Sequence, residues 1–187
     1  MTRTFMAIPV DDDIRMLCRK TQFDLKSGAV EAKWTEPENL HLTLFFFGEI
    51  EDSRIESIRT AMKGLEQDAF NITFNRVGYF KRDSRPTVVW VGIDENRELE
   101  ALYQTGYKLF KNIVPLRKKN RFRPHLTLGR IKKVPSNWER IIKSVTWETI
   151  KMPVERVILY RSDLTPAGPV YSQIEAIKLK QKMDKEE

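Results

Sequence analysis

One tetrapeptide, His-Leu-Thr-Leu, occurs twice in this chain of 187 residues, at positions 41–44 and 125–128. The two copies are 125 − 41 = 84 residues apart, close to half the chain, and they contain both of its histidines. Alternating polar and apolar residues are typical of a β-strand that is buried on one face. A repeat at this spacing predicts two structurally related halves, each containing one such strand.

Strand geometry also predicts what the motif residues face. Side chains at positions i and i+2 of a strand share a face, so His41 lies with Thr43, and His125 lies with Thr127. The leucines of both motifs then point to the opposite side, where they can anchor the strands in a core. We therefore expect two imidazoles and two hydroxyls to meet in one cleft.

These four polar side chains suit phosphoryl chemistry. An imidazole has an unperturbed pKa of about 6.5, so one can act as a neutral base while the other acts as a protonated acid. Threonine hydroxyls can donate hydrogen bonds to phosphate oxygens that carry charge in the transition state. The alternatives are two strand-end histidines without function, or a metal site. Neither motif has an Asp, Glu or Cys at ligand spacing, so we predict no metal.

Composition limits the partners and the compartment. The net charge is 33 − 26 = +7 and the sequence pI is about 9.5, which favours an anionic partner such as nucleic acid. No apolar run is long enough to span a bilayer, so we expect no membrane association. The single cysteine, Cys18, excludes an intrachain disulfide and is expected to be a core thiol. A reducing cytoplasm is therefore the expected location.

Short strands and amphipathic helices are mixed without a strict βαβ order, which predicts an α+β fold. An aspartate, Asp11 or Asp12, is expected to cap the first helix, and Gly28 to end it. The last residues, about 181–187, are charged and expected to fray. The predicted strands cover 3–9, 30–34, 40–47, 70–74, 87–93, 124–130, 146–152, 154–160 and 170–178. The other helices are predicted from Ser53 to Leu65, from Leu99 to Ile113 and from Ser136 to Ile142.

The chain resembles the 2H phosphoesterase superfamily, and specifically the bacterial and archaeal RNA 2′,3′-cyclic phosphodiesterases, also called 2′-5′ RNA ligases. Both His-Leu-Thr-Leu motifs carry this resemblance, together with segments 3–8, 34–49, 123–130, 159–164 and 168–171. It implies a single bilobal domain over residues 1–187. Its two pseudo-symmetric lobes would be mainly antiparallel sheet with flanking helices, and the active cleft would lie between them.

The resemblance also implies an activity, which is hydrolysis of an RNA 2′,3′-cyclic phosphate to a 2′-phosphomonoester without metal or nucleotide cofactor. In the family pattern, His41 is the proton donor to the leaving 3′ oxygen, and His125 is the proton acceptor that activates water. Thr43, Thr127 and Arg130 are the expected substrate-binding residues. The implied partner is RNA with a cyclic phosphate end, such as a tRNA fragment, and a monomer is expected because one chain holds both motifs.

Some neighbouring residues have two interpretations. By strand alternation Phe45 lies on the face of His41, where it would stack on a base, although a place in the core is equally consistent. Arg130 would face away from His125 unless Gly129 marks a β-bulge. The aromatic residues Trp34 and Tyr171 either line a nucleotide pocket or pack in the core. The basic segment 117–123 either steers RNA phosphates or is a solvated loop.

Two other functions are compatible with the motifs. The same acid–base pair would serve a phosphodiesterase that acts on small nucleotide-derived cyclic phosphates. A non-catalytic RNA-binding module would use only the basic segment, and its binding would not depend on the histidines. The sequence lacks a glycine-rich nucleotide-binding loop. Any 2′-5′ ligation would therefore use the energy of the cyclic phosphate itself.

Overall fold

The structure, a computed structural model, describes residues 1–116, 122–166 and 168–181. In this part of the chain, nine strands and four helices form the α+β fold that the sequence predicts. The strands are β1 (Thr2–Pro9), β2 (Glu31–Trp34), β3 (His41–Ile50), β4 (Phe70–Arg82), β5 (Arg85–Ile93), β6 (His125–Lys133), β7 (Ile150–Val154), β8 (Arg156–Thr165) and β9 (Gly168–Lys178). The helices are α1 (Asp12–Ser27), α2 (Asp52–Met62), α3 (Arg97–Phe110) and α4 (Trp138–Ser144), and a 3-10 turn covers Pro37–Asn39.

The named strands pair antiparallel in the order β7-β4-β5-β6-β3-β1-β8-β9, and β2 pairs with the later part of β6. The two motif strands, β3 and β6, meet at the centre of the sheet, where Leu42 lies opposite Leu126. These two leucines occupy the same position in the two copies of the motif. Their pairing therefore places a local twofold axis at the centre of the sheet, and this axis relates the two halves.

The register of the neighbouring strands repeats this symmetry. In the first half, Thr43 of β3 pairs with Ala7 of β1, and the next pair is Phe45 with Met6, so one residue of β3 is extra. In the second half, Thr127 of β6 pairs with Trp90 of β5, and the next pair is Gly129 with Val89. Both motif strands therefore contain a β-bulge at the same position, directly after the motif threonine.

Helix α1 packs against β6, α4 packs against β4, and α2 packs against α3. The ends of α1 are formed as the sequence predicts, with Asp11 as the N-cap and Gly28 as the C-cap. The Asp11 carboxylate accepts a hydrogen bond from the backbone N–H of Ile14 at 2.9 Å, and Asn96 caps α3 in the same way. All four motif leucines are buried. Cys18 is fully buried, and burial raises the pKa of its thiol to about 12, which confirms it as a core thiol.

Several element boundaries differ from the sequence prediction. The predicted strand 70–74 extends to Arg82, because β4 and β5 form a hairpin whose turn residues, Asp83 and Ser84, both have positive φ angles of 47° and 65°. Such turns usually contain glycine or asparagine, so no hairpin signal is visible in the residues themselves. The helix predicted to reach Ile113 ends at Phe110, and the strand predicted from position 146 begins at Ile150. Residues 182–187 of the predicted frayed tail lie outside the described residues.

Candidate active site

The two motif histidines begin β3 and β6 and line one cleft of about 1030 Å³. Their rings are held in the same way. Nδ1 of His41 lies 2.7 Å from the carbonyl oxygen of Asn39, and Nδ1 of His125 lies 2.8 Å from that of Arg123. Each carbonyl belongs to the residue two positions before its histidine, so the repeat extends to the backbone that orients the imidazoles.

These hydrogen bonds assign the tautomers. A carbonyl oxygen can only accept, so Nδ1 of each ring carries the hydrogen and donates it. In the neutral form of each ring, Nε2 therefore carries no hydrogen and is the nitrogen at which the imidazole takes up a proton. Matching tautomers in two strands of one cleft are suited to an acid–base pair.

Aromatic side chains surround His41. The ring of Phe5 lies 4.7 Å from its imidazole, between centroids, and Tyr171 meets it edge-on at 5.4 Å. Burial lowers the pKa of His41 to about 4; the hydrogen bond to the Asn39 carbonyl opposes this shift, and the nearby charge of His125 adds to it. At neutral pH, His41 of the unliganded protein is therefore uncharged.

A different set of aromatic residues packs around His125. The ring of Phe80 meets its imidazole edge-on, with centroids 4.9 Å apart, and Trp90 lies 5.3 Å from Phe80. Phe80 comes from the extended part of β4, which the sequence prediction did not include. It was missed because no residue near it forms a recognisable motif.

The expected substrate-binding residues all reach the cleft. Thr43, Thr127 and Arg130 line it together with both histidines. The bulge at positions 128 and 129 shifts the strand alternation by one residue, so Arg130 shares the face of the second motif's polar residues. The interpretation of Gly129 as a bulge that redirects Arg130 is confirmed.

Of the two interpretations of Phe45, a place on the face of His41 is wrong, and a place in the core is confirmed. The equivalent bulge in β3 turns Phe45 into the core, where it is 4% exposed and stacks on Tyr103 at 4.9 Å. Phe46 takes the cleft face instead, with 59% exposure, and lies 5.8 Å from Phe5. Alignment of the two motifs could have predicted the bulge in β3. With the offset of 84 residues, Phe45 corresponds to Gly129 (45 + 84 = 129), at which the sequence already suggested a bulge.

The remaining candidates are placed as follows. Trp34 and Tyr171 both line the cleft, and Lys26 lies 5.6 Å above the ring of Trp34. Of the basic segment 117–123, Phe122 and Arg123 line the cleft, and residues 117–121 lie outside the described part of the chain.

A buried glutamine supports the bulge in β6. The side-chain amide of Gln22, from α1, donates to the carbonyl oxygen of Leu128 at 2.9 Å and to that of Thr35 at 2.8 Å. The backbone N–H of Thr35 donates to the same Leu128 carbonyl at 2.9 Å. The bulged residue is thus hydrogen-bonded from a helix and a neighbouring segment, a role that sequence reasoning did not assign to Gln22.

The described residues contain neither a metal-binding group of side chains nor a helix able to cross a membrane. No three side chains among their His, Cys, Asp and Glu residues come together as a group that would hold a metal ion. Among the helices described, none has both the length and the apolar character needed to cross a membrane.

Comparison with known proteins identifies the family. The model of the 2′-5′ RNA ligase superfamily matches residues 19–166. An RNA 2′,3′-cyclic phosphodiesterase of Thermotoga maritima is 34% identical over 174 residues, which cover 90% of this chain and 91% of the relative. One of Archaeoglobus fulgidus is 36% identical over 173 residues, covering 92% and 97%. The chain belongs to the 2′-5′ RNA ligase superfamily.

Solved structures show the same fold. TT0787 of Thermus thermophilus superposes with a TM-score of 0.78 at 24% identity, covering 97% of this chain and all of that one. LigT of E. coli in its apo form superposes with a TM-score of 0.75 at 24% identity, covering 96% and 98%. The mainly antiparallel α+β architecture is therefore shared with both proteins.

Proposed function

We propose that this protein hydrolyses RNA 2′,3′-cyclic phosphate ends to 2′-phosphomonoesters, with His41 as proton donor and His125 as proton acceptor. The observation that carries the proposal is the matched setting of the two histidines. Both imidazoles are oriented by a backbone carbonyl two residues earlier, and both line one cleft with two threonines and Arg130. The names of the relatives in Thermotoga maritima and Archaeoglobus fulgidus support the choice of substrate.

Each residue has a role in a balanced step. The oxygen of a water molecule attacks phosphorus while Nε2 of His125 accepts its proton. The bond between phosphorus and O3′ breaks, and Nε2 of His41 gives its proton to O3′. The phosphate remains on O2′. Thr43, Thr127 and Arg130 donate hydrogen bonds to the non-bridging oxygens, whose charge grows in the transition state.

The low pKa of His41 places a condition on this mechanism. A proton donor must be protonated in the complex, whereas burial keeps the pKa of His41 at about 4 in the unliganded protein. The anionic phosphodiester of the substrate, placed beside the imidazole, stabilises the imidazolium and raises this pKa. We therefore expect His41 to become protonated when substrate binds and to be uncharged in the enzyme without substrate.

Other parts of the proposal follow from the same site. One chain supplies both motif strands, so a monomer is sufficient for activity. No step of the mechanism requires a metal or a nucleotide cofactor. The single cysteine is buried and reduced, which is compatible with the cytoplasm. RNA with a cyclic phosphate end, including tRNA fragments, is the proposed partner, and the net charge of +7 favours it.

The test is turnover of an oligoribonucleotide that ends in a 2′,3′-cyclic phosphate, with and without EDTA. The expected product carries its phosphate on the 2′ oxygen, and EDTA leaves the rate unchanged. A 3′-phosphate product would contradict the assignment of His41 to the 3′ oxygen. Salt-dependent binding without any turnover would instead identify an RNA-binding module.

A second assay defines the substrate class. Nucleoside 2′,3′-cyclic monophosphates present the same reacting ring without a polynucleotide. We expect a higher kcat/KM for the oligonucleotide, because Arg123 and the basic residues around the cleft can contact its additional phosphates. A higher value for the mononucleotide would assign the enzyme to small cyclic phosphates.

A further inference from the structure

A buried amide contacts the second motif strand at its bulge. Gln22 of α1 is only 6% exposed, and its side-chain nitrogen donates hydrogen bonds to the carbonyl oxygens of Leu128 and Thr35, at 2.9 and 2.8 Å. Both partners are backbone carbonyls, which can only accept, so this position requires a donor with two hydrogens. A buried polar group costs free energy unless it is hydrogen-bonded, and an apolar side chain would fill the same space. The identity of residue 22 is therefore explained by the two carbonyls rather than by packing.

The Leu128 carbonyl lies where the alternation of β6 shifts by one residue. Thr127 and Gly129 pair with successive residues of β5, so Leu128 is the additional residue of the bulge. The backbone N–H of Thr35 donates to the same Leu128 carbonyl at 2.9 Å, so this oxygen is held both from α1 and from the segment after β2. The alternation resumes after this peptide group, and its orientation decides on which face of the strand Arg130 lies.

The two motif strands anchor their bulges in different ways. In β3, the bulge contains Phe45, whose ring is buried and stacks on Tyr103. In β6, the corresponding residue is Gly129, where a Cβ atom would be 2.8 Å from the ring of Trp34. Glycine has no side chain to pack and tolerates more backbone conformations than any other residue. The bulge in β6 therefore depends on hydrogen bonds for its geometry, and Gln22 supplies one of them.

We propose that Gln22 is a positioning residue, which fixes the bulge in β6 and thereby holds Arg130 on the cleft face, where it contacts the substrate phosphate; this rests on the proposed function. Arg130 lines the cleft, whereas Gln22 does not. The amide therefore acts on the reaction only through the backbone between Leu128 and Arg130. Thr127 precedes the bulge and pairs with Trp90 of β5, so its place in the cleft is fixed by the strand ladder.

Two substitutions remove hydrogen bonds of Gln22 without adding or removing a charge. Gln22→Met keeps the length of the side chain and removes both hydrogen bonds, because a thioether has no N–H to donate. Gln22→Asn keeps the amide but is one methylene shorter, so it reaches at most one of the two carbonyls. Any change in how such a variant responds to salt must then come from the placement of a group that already carries a charge.

The experiment measures KM and kcat of Gln22→Met for an oligoribonucleotide that ends in a 2′,3′-cyclic phosphate, at several salt concentrations. We expect KM to rise about fivefold with kcat nearly unchanged, because the lost contact to phosphate is present both in the bound substrate and in the transition state. The slope of log KM against log salt concentration should fall by up to about 1, as it should in Arg130→Gln, because one cation no longer contacts a phosphate. A purely structural glutamine would affect stability and leave this slope as it is in the wild type.

A double variant shows whether Gln22 acts through Arg130. If it does, adding Gln22→Met to Arg130→Gln leaves KM and its salt dependence as they are in Arg130→Gln alone, because the contact to phosphate is already lost. Two effects on KM that multiply would mean that the changes are independent of each other, and this result would overturn the positioning role.

The matched control is Cys18→Ala, one turn before Gln22 on the same helix and also buried. It lowers the free energy of unfolding, measured with urea, and should keep the wild-type KM and salt dependence. If Gln22→Met does not fold, Gln22→Asn takes its place with the same expectations. A wild-type KM and salt slope in the folded variant would overturn the positioning role and leave the proposed function standing. Absence of turnover by the wild type would overturn both.

Discussion

The two motif strands have the same backbone and different surroundings. In both β3 and β6, a carbonyl two residues earlier orients the histidine, and a bulge follows the threonine. The residues at and after the bulge differ, since Phe45 and Phe46 in one strand correspond to Gly129 and Arg130 in the other. The shared geometry supplies a pair of acid–base groups, and the different residues give the two halves different binding properties.

Packing behind the strands explains the difference at the bulge. Phe45 fills space next to Gly106 of α3, where a Cβ atom would be only 2.7 Å from the phenyl ring. Gly129 lies against the indole of Trp34, and a Cβ atom there would be 2.8 Å from it. In the first half, the large Phe45 on the strand faces a glycine, Gly106, on the helix. In the second half, the strand itself carries the glycine, Gly129, and the large residue that faces it is Trp34.

Among changes outside the two histidines, the largest predicted effect tests whether the two threonines are equivalent. Thr43→Val and Thr127→Val keep the shape of the side chain and remove the hydroxyl. Each is expected to lower kcat/KM for a cyclic-phosphate oligonucleotide by roughly 10²-fold, the usual result of losing one donor to a developing negative charge. Thr60→Val, at an exposed position of α2, is the control. A normal rate in either cleft variant would show that only one strand contacts the phosphate.

The next prediction concerns the charge on His41. Burial holds its pKa at about 4 in the free protein, and a bound 2′-nucleotide should raise this pKa above about 6, roughly a hundredfold change in proton affinity. Because the chain has two histidines, NMR titration of the ring nitrogens resolves both, and His125→Gln assigns them. If His41 stayed uncharged at about pH 5 with nucleotide bound, the donor role would move to His125.

The same pKa shift affects stability. The pKa of His41 is lower in the folded protein than its ordinary value of 6.5, so the unfolded chain takes up the proton first as the pH falls. The contribution of uncharged His41 to folding is present above pH 6.5 and is lost progressively towards pH 4. Urea unfolding of the wild type and of His41→Gln across this range should show a smaller loss in the variant.

A smaller effect is expected from Arg130, which occupies the position in β6 that corresponds to Phe46 in β3. Arg130→Gln should raise KM for the oligonucleotide about tenfold, since a charged hydrogen bond to phosphate is replaced by a neutral one. It should also reduce the dependence of binding on salt. Lys133→Gln, farther along β6 in an exposed ion pair with Glu31, serves as the control and should behave as the wild type.

The smallest predicted effect is that of Phe46, the aromatic residue of β3 that corresponds to Arg130. Phe46→Leu should lower kcat/KM about fivefold for a nucleoside 2′,3′-cyclic phosphate, because stacking on the base is weakened. The rate on a ribose 2′,3′-cyclic phosphate without a base should not change. Phe23, 68% exposed on α1 and outside the cleft, offers Phe23→Leu as the matched control. Equal losses on both substrates would mean that Phe46 does not stack on the base.

Periodicity and the repeat predicted most of the site, because strand alternation is a strong local rule. His41, Thr43, His125 and Thr127 face one cleft as that rule requires. The rule fails where a bulge adds one residue. Glycine at position 129 signalled the bulge in β6, whereas Phe45 carried no such signal in β3 although the backbone is the same.

Contacts between distant segments could not be predicted from local patterns. Gln22 reaches the carbonyl of Leu128 from a helix 106 residues away in sequence. Arg76 and Trp90 line one cavity with His125, and they occupy space that glycines on β4 and β5 leave open. The sequence predicts which residues share a face, but the strand order and register decide which faces meet.

The most direct test of the two-histidine mechanism is the rate of hydrolysis of a cyclic-phosphate oligonucleotide by His41→Gln and His125→Gln, each checked for native folding by circular dichroism. The mechanism predicts that each variant loses about 10²- to 10⁴-fold in kcat, because each removes one proton-transfer group. It also predicts that the double variant is little worse than either single one, since the two groups act in one step. A near-wild-type rate in either single variant would contradict the mechanism.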